Sequence, residues 1–336
     1  MRIGLIGAGA VADLHVRAAQ VFPDTRLTAV CDVREDVAAK AAAPCGAATF
    51  RDYRDLYAAG CVDAVIVNTP HGLHSRMVLD AAASGLHVLV EKPMATTLED
   101  CDRMIEACRQ AGVTLAIGHI QHFLPDKRAA EAVIAGGTLG RPLAVHDYRS
   151  TDYRPGTRSP WFFSREIAGG GALMNIGAHC LDRSVWLAGS PAVSLTAATA
   201  ERFGAPVETD GSLAVRLADG GLATVSVMSD TPHRIDEVTV VCERGTVVAD
   251  PRQGTFVRVD GTTRQLHEPR PSDIPDAFHA QLADFVAAVG GAPLTVSLDH
   301  GRHVVELVLA AYASASAGRP VDLRQAGVAA GQGAGA

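Results

Sequence analysis

The feature that most constrains the fold is the order of apolar and amphipathic segments in the first third of this 336-residue chain. Short, fully apolar runs alternate there with segments whose apolar residues recur at helical spacing. Strands without a polar face, separated by helices, indicate a parallel sheet that is covered on both faces. The predicted strands span residues 2–5, 27–31, 64–68, 88–91 and 115–118, and the predicted helices span residues 12–21, 35–43, 74–84 and 98–111.

The pattern changes near Pro142, where alternating apolar and polar residues replace the continuous apolar runs. This alternation, with Asp-Gly and Arg-Gly pairs between runs, predicts an α+β domain whose large, open sheet is mostly antiparallel. The predicted strands span residues 195–200, 213–217, 223–228, 237–241 and 255–259, and the predicted helices span residues 169–188, 276–289 and 299–317. We therefore expect one domain over residues 1–123, a second over 124–325, and a disordered tail over 326–336.

Composition and charge exclude several classes of function. The chain is 48% apolar and 20% charged, which suits a cytoplasmic α/β enzyme. Its net charge of −7, without a basic patch, argues against nucleic acid as a partner. No apolar run reaches the roughly 18 residues that a membrane helix needs. The seven cysteines are scattered and include no Cys-x-x-Cys pair, which predicts reduced thiols and no disulfide framework.

A glycine-rich loop follows the first predicted strand and opens the first helix. In the pattern Gly7-x-Gly9-x-x-Ala12, Gly7 permits the turn, Gly9 lets the backbone approach a pyrophosphate, and Ala12 allows close packing. This predicts a Rossmann dinucleotide-binding domain. Asp32 ends the next strand, where a carboxylate accepts hydrogen bonds from the adenosine ribose and repels a 2′-phosphate. NAD is therefore favoured over NADP, although Arg34 is placed to hold a 2′-phosphate.

Further polar motifs follow the other strands of the first domain. The carboxyl ends of parallel strands share one edge of a sheet, and ligands bind at that edge. The stretches 68–74 (NTPHGLH), 91–93 (EKP) and 118–123 (GHIQHF) all belong there. Proline restricts the residue before it to extended geometry, so Pro93 is expected to aim Lys92 in a fixed direction.

Together these motifs resemble those of the glucose–fructose oxidoreductase and inositol dehydrogenase family, Gfo/Idh/MocA. The resemblance rests on GLIGAGAVA near the start, NTPHGLH, EKPMATT, GHIQHF and, after residue 168, GGGALMNIGAHCLD. It implies an NAD(P)-dependent oxidoreductase that acts on the CH–OH group of sugars, aminosugars or cyclitols, and a homodimer or homotetramer. The residues predicted to hold the cofactor are Gly7, Gly9, Ala10, Val11, Asp32, Val33, Asn68, Thr69, Pro70, His71, His74, Glu91, Lys92, Pro93 and His122.

The resemblance also implies a catalytic set of Lys92, position 175 and His179. The family pattern has aspartate at position 175, whereas this chain has Asn175. An amide orients an imidazole but supplies no charge, so the change costs tuning of the histidine pKa by on the order of one to two units. Either Asn175 binds a substrate hydroxyl or amine and holds His179, or Asp182 supplies the missing charge.

The residues predicted to contact the substrate are Lys92, His119, Gln121, Tyr153, Arg154, Trp161, Asn175 and His179. Trp161 belongs either to an apolar wall or lid over the sugar or the nicotinamide, or to ordinary core. The pairs His71/His74 and His119/His122 lack an accompanying cysteine or carboxylate cluster, so we predict no metal. Two other functions stay open: an NAD-dependent glycosidase of the same superfamily, and a non-catalytic NAD-binding regulator.

Overall fold

The computed structural model describes residues 1–231 and 233–323, so the predicted tail over 326–336 lies outside the described residues. The helices in chain order are α1 (Ala12–Val21), α2 (Glu35–Ala42), α3 (Tyr53–Ala58), α4 (His74–Ala83), α5 (Leu98–Ala111), α6 (Pro125–Ala135), α7 (Arg165–Ala168), α8 (Ala178–Ala188), α9 (Asp273–Val289) and α10 (Leu298–Ala317). The first sheet contains β1 (Arg2–Ile6), β2 (Arg26–Cys31), β3 (Ala48–Phe50), β4 (Ala64–Val67), β5 (His87–Glu91) and β6 (Leu115–Gly118). The second sheet contains β7 (Pro142–Thr151), β8 (Ala192–Ala200), β9 (Asp210–Leu217), β10 (Leu222–Ser229), β11 (Asp236–Cys242), β12 (Gly245–Asp250), β13 (Gly254–Val259), β14 (Thr262–His267) and β15 (Val321–Asp322).

The chain divides into two compact units. The first unit contains Met1–Leu124 and Pro271–Arg302, and the second contains Pro125–Arg270 and the described residues 303–323. The sequence analysis assigned residues 271–302 to the second domain. They join the first unit because α9 packs against α1 and brings Phe278 and Phe285 into the core of that unit.

The first unit is built on a six-stranded sheet in the order β3-β2-β1-β4-β5-β6. Every neighbouring pair is parallel, with β1 at the centre between β2 and β4. Leu5 on β1 pairs with Val30 on one side and with Ile66 on the other, and all three side chains are buried. The predicted Rossmann-type parallel sheet is confirmed.

The second unit is built on a nine-stranded sheet in the order β14-β13-β12-β11-β7-β10-β9-β8-β15. All its neighbouring pairs are antiparallel except β7 with β10, which confirms the predicted, mostly antiparallel sheet. Helix α8 packs against β7 and against the neighbouring strands β10 and β11. Among the described residues, no helix is both long and apolar enough to cross a bilayer.

A buried ion cluster joins α8 to the second sheet. Arg183 on α8 is fully buried and donates two hydrogen bonds to Asp147 on β7, at 2.5 and 2.8 Å. A further hydrogen bond from Arg183, at 2.6 Å, reaches Asp236 on β11. Burial opposes the ionised form of Asp236, but the charges of Arg183, Arg149 and Lys127 outweigh it and lower the pKa of that carboxyl. The cluster therefore holds α8, and the residues it carries, in one orientation.

Candidate functional site

The glycine loop after β1 has the tight turn that its sequence predicts. Gly7 has φ +90°, and a Cβ placed on it would lie 2.4 Å from the carbonyl oxygen of Asn68. The side-chain amide of Asn68 donates to the Gly7 carbonyl at 3.1 Å, which ties the loop to the end of β4. Only glycine adopts this conformation beside so close a neighbour without strain.

Gly9, in contrast, faces open space. Apart from Gly9 itself and its two chain neighbours, no described residue has a heavy atom within 4 Å of a Cβ placed on Gly9. Among the described residues, no side chain makes a capping hydrogen bond at Val11, the N-cap of α1. Helix N-termini bind anionic phosphates through exposed N–H groups. The loop therefore has both the room and the donors that a pyrophosphate requires.

Asp32 at the end of β2 is tied to the same loop. One carboxylate oxygen accepts the Ala8 N–H at 2.9 Å, and the other accepts the Arg34 N–H at 2.9 Å. The Arg34 side chain is 64% exposed, with Nε 3.7 Å from the carboxylate, and Val33 beside it is exposed. Asp32 thus sits at the sheet edge with a fixed carboxylate, as its predicted role at a ribose requires.

The end of β5 is fixed by Glu91. His15 Nε2 on α1 lies 2.9 Å from one carboxylate oxygen of Glu91, and the other oxygen accepts the Lys92 N–H at 3.3 Å. Burial opposes ionisation of Glu91, but the hydrogen bond from His15 and the charge of Lys92 lower its pKa. The Lys92–Pro93 peptide bond is cis. Glu91 therefore links α1 to the backbone of Lys92, the predicted catalytic lysine.

His74 was predicted to hold the cofactor, and its surroundings favour a structural role instead. The ring is fully buried, Nδ1 lies 2.9 Å from the Pro93 carbonyl, and Nε2 lies 2.9 Å from the Thr69 carbonyl. Burial lowers the pKa of His74. Both ring nitrogens join strand-end loops of the sheet. His71, with its ring 5.9 Å from that of His74, is also buried.

The residues after β6 form a cluster of imidazoles in the first unit. His119 and His122 are buried, as is Gln121 between them. His300 at the start of α10, which the sequence analysis missed, brings its ring to 5.8 Å from that of His119 and 5.0 Å from that of His122. The sequence gives no signal for this contact, because His300 lies far from β6 along the chain and belongs to no recognisable motif.

In the second unit, the glycine triplet does not begin the helix as predicted. Gly169, with φ +79°, ends α7, and the helix that carries the predicted catalytic residues begins at Leu173. Its first turn, Leu173–Gly177, is π-helical and runs directly into α8. Asn175 is 5% exposed, whereas His179 is partly exposed. A spacing of four residues is close to one turn in either helix type, so both residues share a face.

Two residues that the sequence analysis missed hold the start of this helix. Glu208 is buried and accepts hydrogen bonds from the N–H groups of Gly171 and Leu173. Tyr312 on α10 donates to Glu208 at 2.7 Å.

Asp182, the predicted source of a substitute charge, is fully buried on α8.

The loop after β7 contains three predicted substrate residues, and each of them has a partner among nearby residues. Tyr153 is fully buried and donates its hydroxyl hydrogen to the Phe162 carbonyl at 2.9 Å, which favours a role in the loop over substrate contact. Arg154 is exposed and pairs with Asp152 at 2.9 Å, as a solvated loop residue does. Trp161 is partly exposed and stacks on Phe162 with 3.7 Å between ring centroids.

Comparison with known proteins connects both units to one family. The family model for the "Oxidoreductase family, NAD-binding Rossmann fold" matches residues 1–119, and the model for the "GFO/IDH/MocA C-terminal domain" matches residues 128–248. The chain is 32% identical to inositol 2-dehydrogenase 2 of Paenarthrobacter aurescens over 306 residues. This match covers 87% of this chain and 88% of that protein. It is 31% identical, with the same coverage, to the rhizopine catabolism protein MocA of Rhizobium meliloti. The solved structure of GenD2 from gentamicin A biosynthesis, in complex with NAD, superimposes with a TM-score of 0.87 at 28% identity and 96% coverage of both chains.

Proposed function

Because this chain belongs to the Gfo/Idh/MocA family of oxidoreductases, we propose that it is an NAD-dependent dehydrogenase of a sugar, aminosugar or cyclitol. The reaction oxidises a secondary alcohol to a ketone, or the reverse, with Lys92 and His179 as the acid–base pair. The observation that carries the proposal is the shared edge of the first sheet. Gly9, Asp32 and Lys92 follow three parallel strands, so they lie at one edge.

The residues at this edge fit a dinucleotide. Gly9 leaves the space that a pyrophosphate needs at the start of α1, and Asp32 presents a carboxylate for the ribose hydroxyls. Ala10, Val11 and Val33 border these two positions, and Asn68 with Lys92 continues the edge towards β6. When bound, NAD supplies the hydride acceptor of the reaction. The Asp32 carboxylate favours NAD over NADP.

Lys92 and His179 divide the proton chemistry between them. The Lys92 ammonium attracts the alcohol oxygen and stabilises the negative charge that develops there as the proton leaves. His179, as a neutral imidazole, takes that proton on a ring nitrogen, and its ordinary pKa lies near neutral pH. In the reverse direction, the imidazolium returns the proton to the carbonyl oxygen.

Two hypotheses explain how His179 works beside an amide: Asn175 binds the substrate and holds His179, or Asp182 supplies the missing charge. The pH dependence of the rate distinguishes them. Activity requires neutral His179, so it rises with pH through the histidine pKa. An added carboxylate raises that pKa, so Asn175→Asp moves the rising limb to higher pH by about one unit. If Asp182 supplies the charge, Asp182→Asn moves the limb to lower pH. A limb and a rate that are both unchanged in Asp182→Asn contradict the substitute-charge hypothesis and favour Asn175 as a substrate contact.

The relatives and the predicted substrate residues support the substrate class. One relative is named an inositol 2-dehydrogenase, another serves rhizopine catabolism, and a solved neighbour belongs to gentamicin A biosynthesis. His119 and Gln121 after β6 and Asn175 before α8 offer donors and acceptors for several hydroxyl groups. These features support a polyhydroxylated ring, with or without an amino group.

The test is a panel of inositols, aldoses, aminosugars and aminocyclitols with NAD and NADP, followed by absorbance of the reduced cofactor. The expected result is stoichiometric reduction of NAD by at least one member. Lys92→Met should lower kcat about 10²- to 10⁴-fold, whereas Lys40→Met, which removes an exposed lysine from α2, should not. Aglycone release from glycosides without net reduction would identify a glycosidase. NAD binding without turnover across the panel would identify a regulator.

The second sheet supports association of copies of this chain through its open face. A groove of about 300 Å³ on the sheet is lined by side chains of β7, β10 and β11, including His146, Tyr148, Thr224 and Glu237. Mixed polar and apolar side chains of this kind suit a homodimer or homotetramer. Light scattering of the purified protein measures the oligomeric state, and a monomer at working concentration contradicts the assignment.

A further inference from the structure

The helix that carries Asn175 and His179 begins on a buried carboxylate. Glu208 is 3% exposed and lies just before β9. Its Oε1 accepts the N–H of Gly171 at 2.8 Å and that of Leu173 at 3.1 Å. Its backbone carbonyl accepts the N–H of Ala172 at 2.9 Å. One residue, far along the chain, therefore takes three consecutive donors at the start of the helix.

Tyr312 completes the set from α10. Its hydroxyl accepts the N–H of Met174 at 3.1 Å and donates to Glu208 Oε1 at 2.7 Å. Burial and the charge of Glu208 raise the pKa of Tyr312, so the hydroxyl stays protonated and keeps donating. The first N–H groups of a helix lack partners within the helix and must find them elsewhere. Here Glu208 and Tyr312 bind four N–H groups in succession, the two that precede the helix and its first two.

The glycine triplet is shaped around these two side chains. A Cβ on Gly170 would lie 2.0 Å from the Tyr312 hydroxyl oxygen, and a Cβ on Gly171 would lie 2.1 Å from the Glu208 carbonyl oxygen. Contacts this short exclude any side chain at either position. The two glycines therefore allow Glu208 and Tyr312 to reach the backbone of the helix start.

We propose that Glu208 and Tyr312 are positioning residues that fix the orientation of Asn175 and His179. The inference rests on the function proposed above. The turn that they hold also contains the bond from the Asn175 N–H to the Gly171 carbonyl, at 3.1 Å. A hydrogen bond from a helix N–H group to a carboxylate is stronger than one to a neutral acceptor. Loss of its charge loosens the first turn, and a displacement of about 1 Å at a catalytic group costs up to about 100-fold in rate.

The experiment compares Glu208→Gln and Tyr312→Phe with Ser314→Ala. Glu208→Gln keeps an oxygen acceptor and removes the charge, whereas Tyr312→Phe keeps the charge and removes the hydroxyl. Ser314 is the matched control, because it is a buried hydroxyl on the same helix whose partners are the Ala197 N–H and the Arg319 carbonyl. The measurements are kcat, KM, the Kd for NAD, the unfolding temperature, and the imidazole chemical shifts of His179 by NMR.

Glu208→Gln and Tyr312→Phe should lower kcat about 10- to 100-fold, leave the Kd for NAD unchanged, and shift or broaden the His179 signals. Ser314→Ala should lower only the unfolding temperature. If both test variants behave like Ser314→Ala, with native His179 signals, the positioning role is refuted. If Glu208→Gln does not fold, Tyr312→Phe decides the question. If the wild type has no dehydrogenase activity, the proposed function fails, and the NMR comparison alone decides whether these residues hold His179.

Discussion

Replacement of Gly9 by alanine is expected to separate cofactor binding from folding. Apart from its chain neighbours, no described residue lies within 4 Å of a Cβ at Gly9, and φ at Gly9 is not positive. The added methyl group therefore causes no clash or backbone strain in the apoprotein. Alanine also restricts the unfolded chain more than glycine does. We expect the free energy of unfolding to stay unchanged or to rise by about 0.4–1 kcal/mol.

The same methyl group projects into the space that we assign to the pyrophosphate. A phosphate displaced from the start of α1 loses at least one charge-assisted hydrogen bond to a backbone N–H. Such a bond contributes about 1.5–3 kcal/mol. The Kd for NAD should therefore rise about tenfold to 150-fold in Gly9→Ala.

Two measurements on each variant test this reasoning: thermal unfolding of the apoprotein, and calorimetric titration with NAD. Gly7→Ala is the matched control, because φ at Gly7 is +90° and the new Cβ would lie 2.4 Å from the Asn68 carbonyl oxygen. It should lose at least about 1–3 kcal/mol of stability. A wild-type Kd for NAD in Gly9→Ala would place the pyrophosphate elsewhere. A loss of stability as large as that of Gly7→Ala would refute the open space at Gly9.

Three further predictions concern the ion cluster and the cofactor. Arg183→Met leaves the buried Asp147 carboxylate uncompensated, so urea unfolding should show a loss of about 3–5 kcal/mol. Burial opposes ionisation of Asp236, but the charge of Arg183 outweighs it and lowers the pKa. The stability that Asp236 contributes is therefore present above the unfolded-state pKa of about 3.9 and falls as pH drops below it, which acid titration against Asp236→Asn measures. Asp32→Ser removes the repulsion of a 2′-phosphate and leaves Arg34, so the kcat/KM ratio of NADP to NAD should rise about tenfold or more.

Much of the first unit follows from the sequence, because its strands are apolar on both faces and its helices have local end signals. The predicted helix over residues 98–111 has the bounds observed for α5, where Thr97 caps the start and Gly112, with φ +66°, caps the end. The missed strand β3 has only three residues and none is buried, so it carries no apolar pattern.

In the second unit, the sequence analysis missed the central strand β7 as well as β12, β14 and β15. The strand β7 contains Asp147 at a buried position, where apolar periodicity demands an apolar residue. The carboxylate is stable there because Arg183 on α8 supplies its charge partner. A strand whose core position is filled by an ion pair cannot be recognised from hydrophobic alternation, since the compensating residue lies elsewhere in the chain.

The residues of the candidate site also fall into two groups: those that local motifs predict and those that only folding brings together. Gly7, Gly9 and Lys92 belong to local motifs, and their backbone surroundings depend on residues close by in the sheet. Glu208 and Tyr312 lie in segments without a motif, and only folding brings them to the glycine triplet. His74 lies within a motif, yet its contacts with two backbone carbonyls favour a structural role.

The packing of α9 on α1 limits how the protein can be dissected. Phe278, Leu282 and Phe285 belong to the same apolar cluster as Ile3, Leu5 and their neighbours, although about four fifths of the chain separates them. A truncated fragment that stops at Leu124 keeps every strand of the parallel sheet but uncovers one flank of its core. Expression of a separate nucleotide-binding half therefore requires a circularly permuted or spliced gene, in which residues 271–302 are joined to the fragment by a short linker.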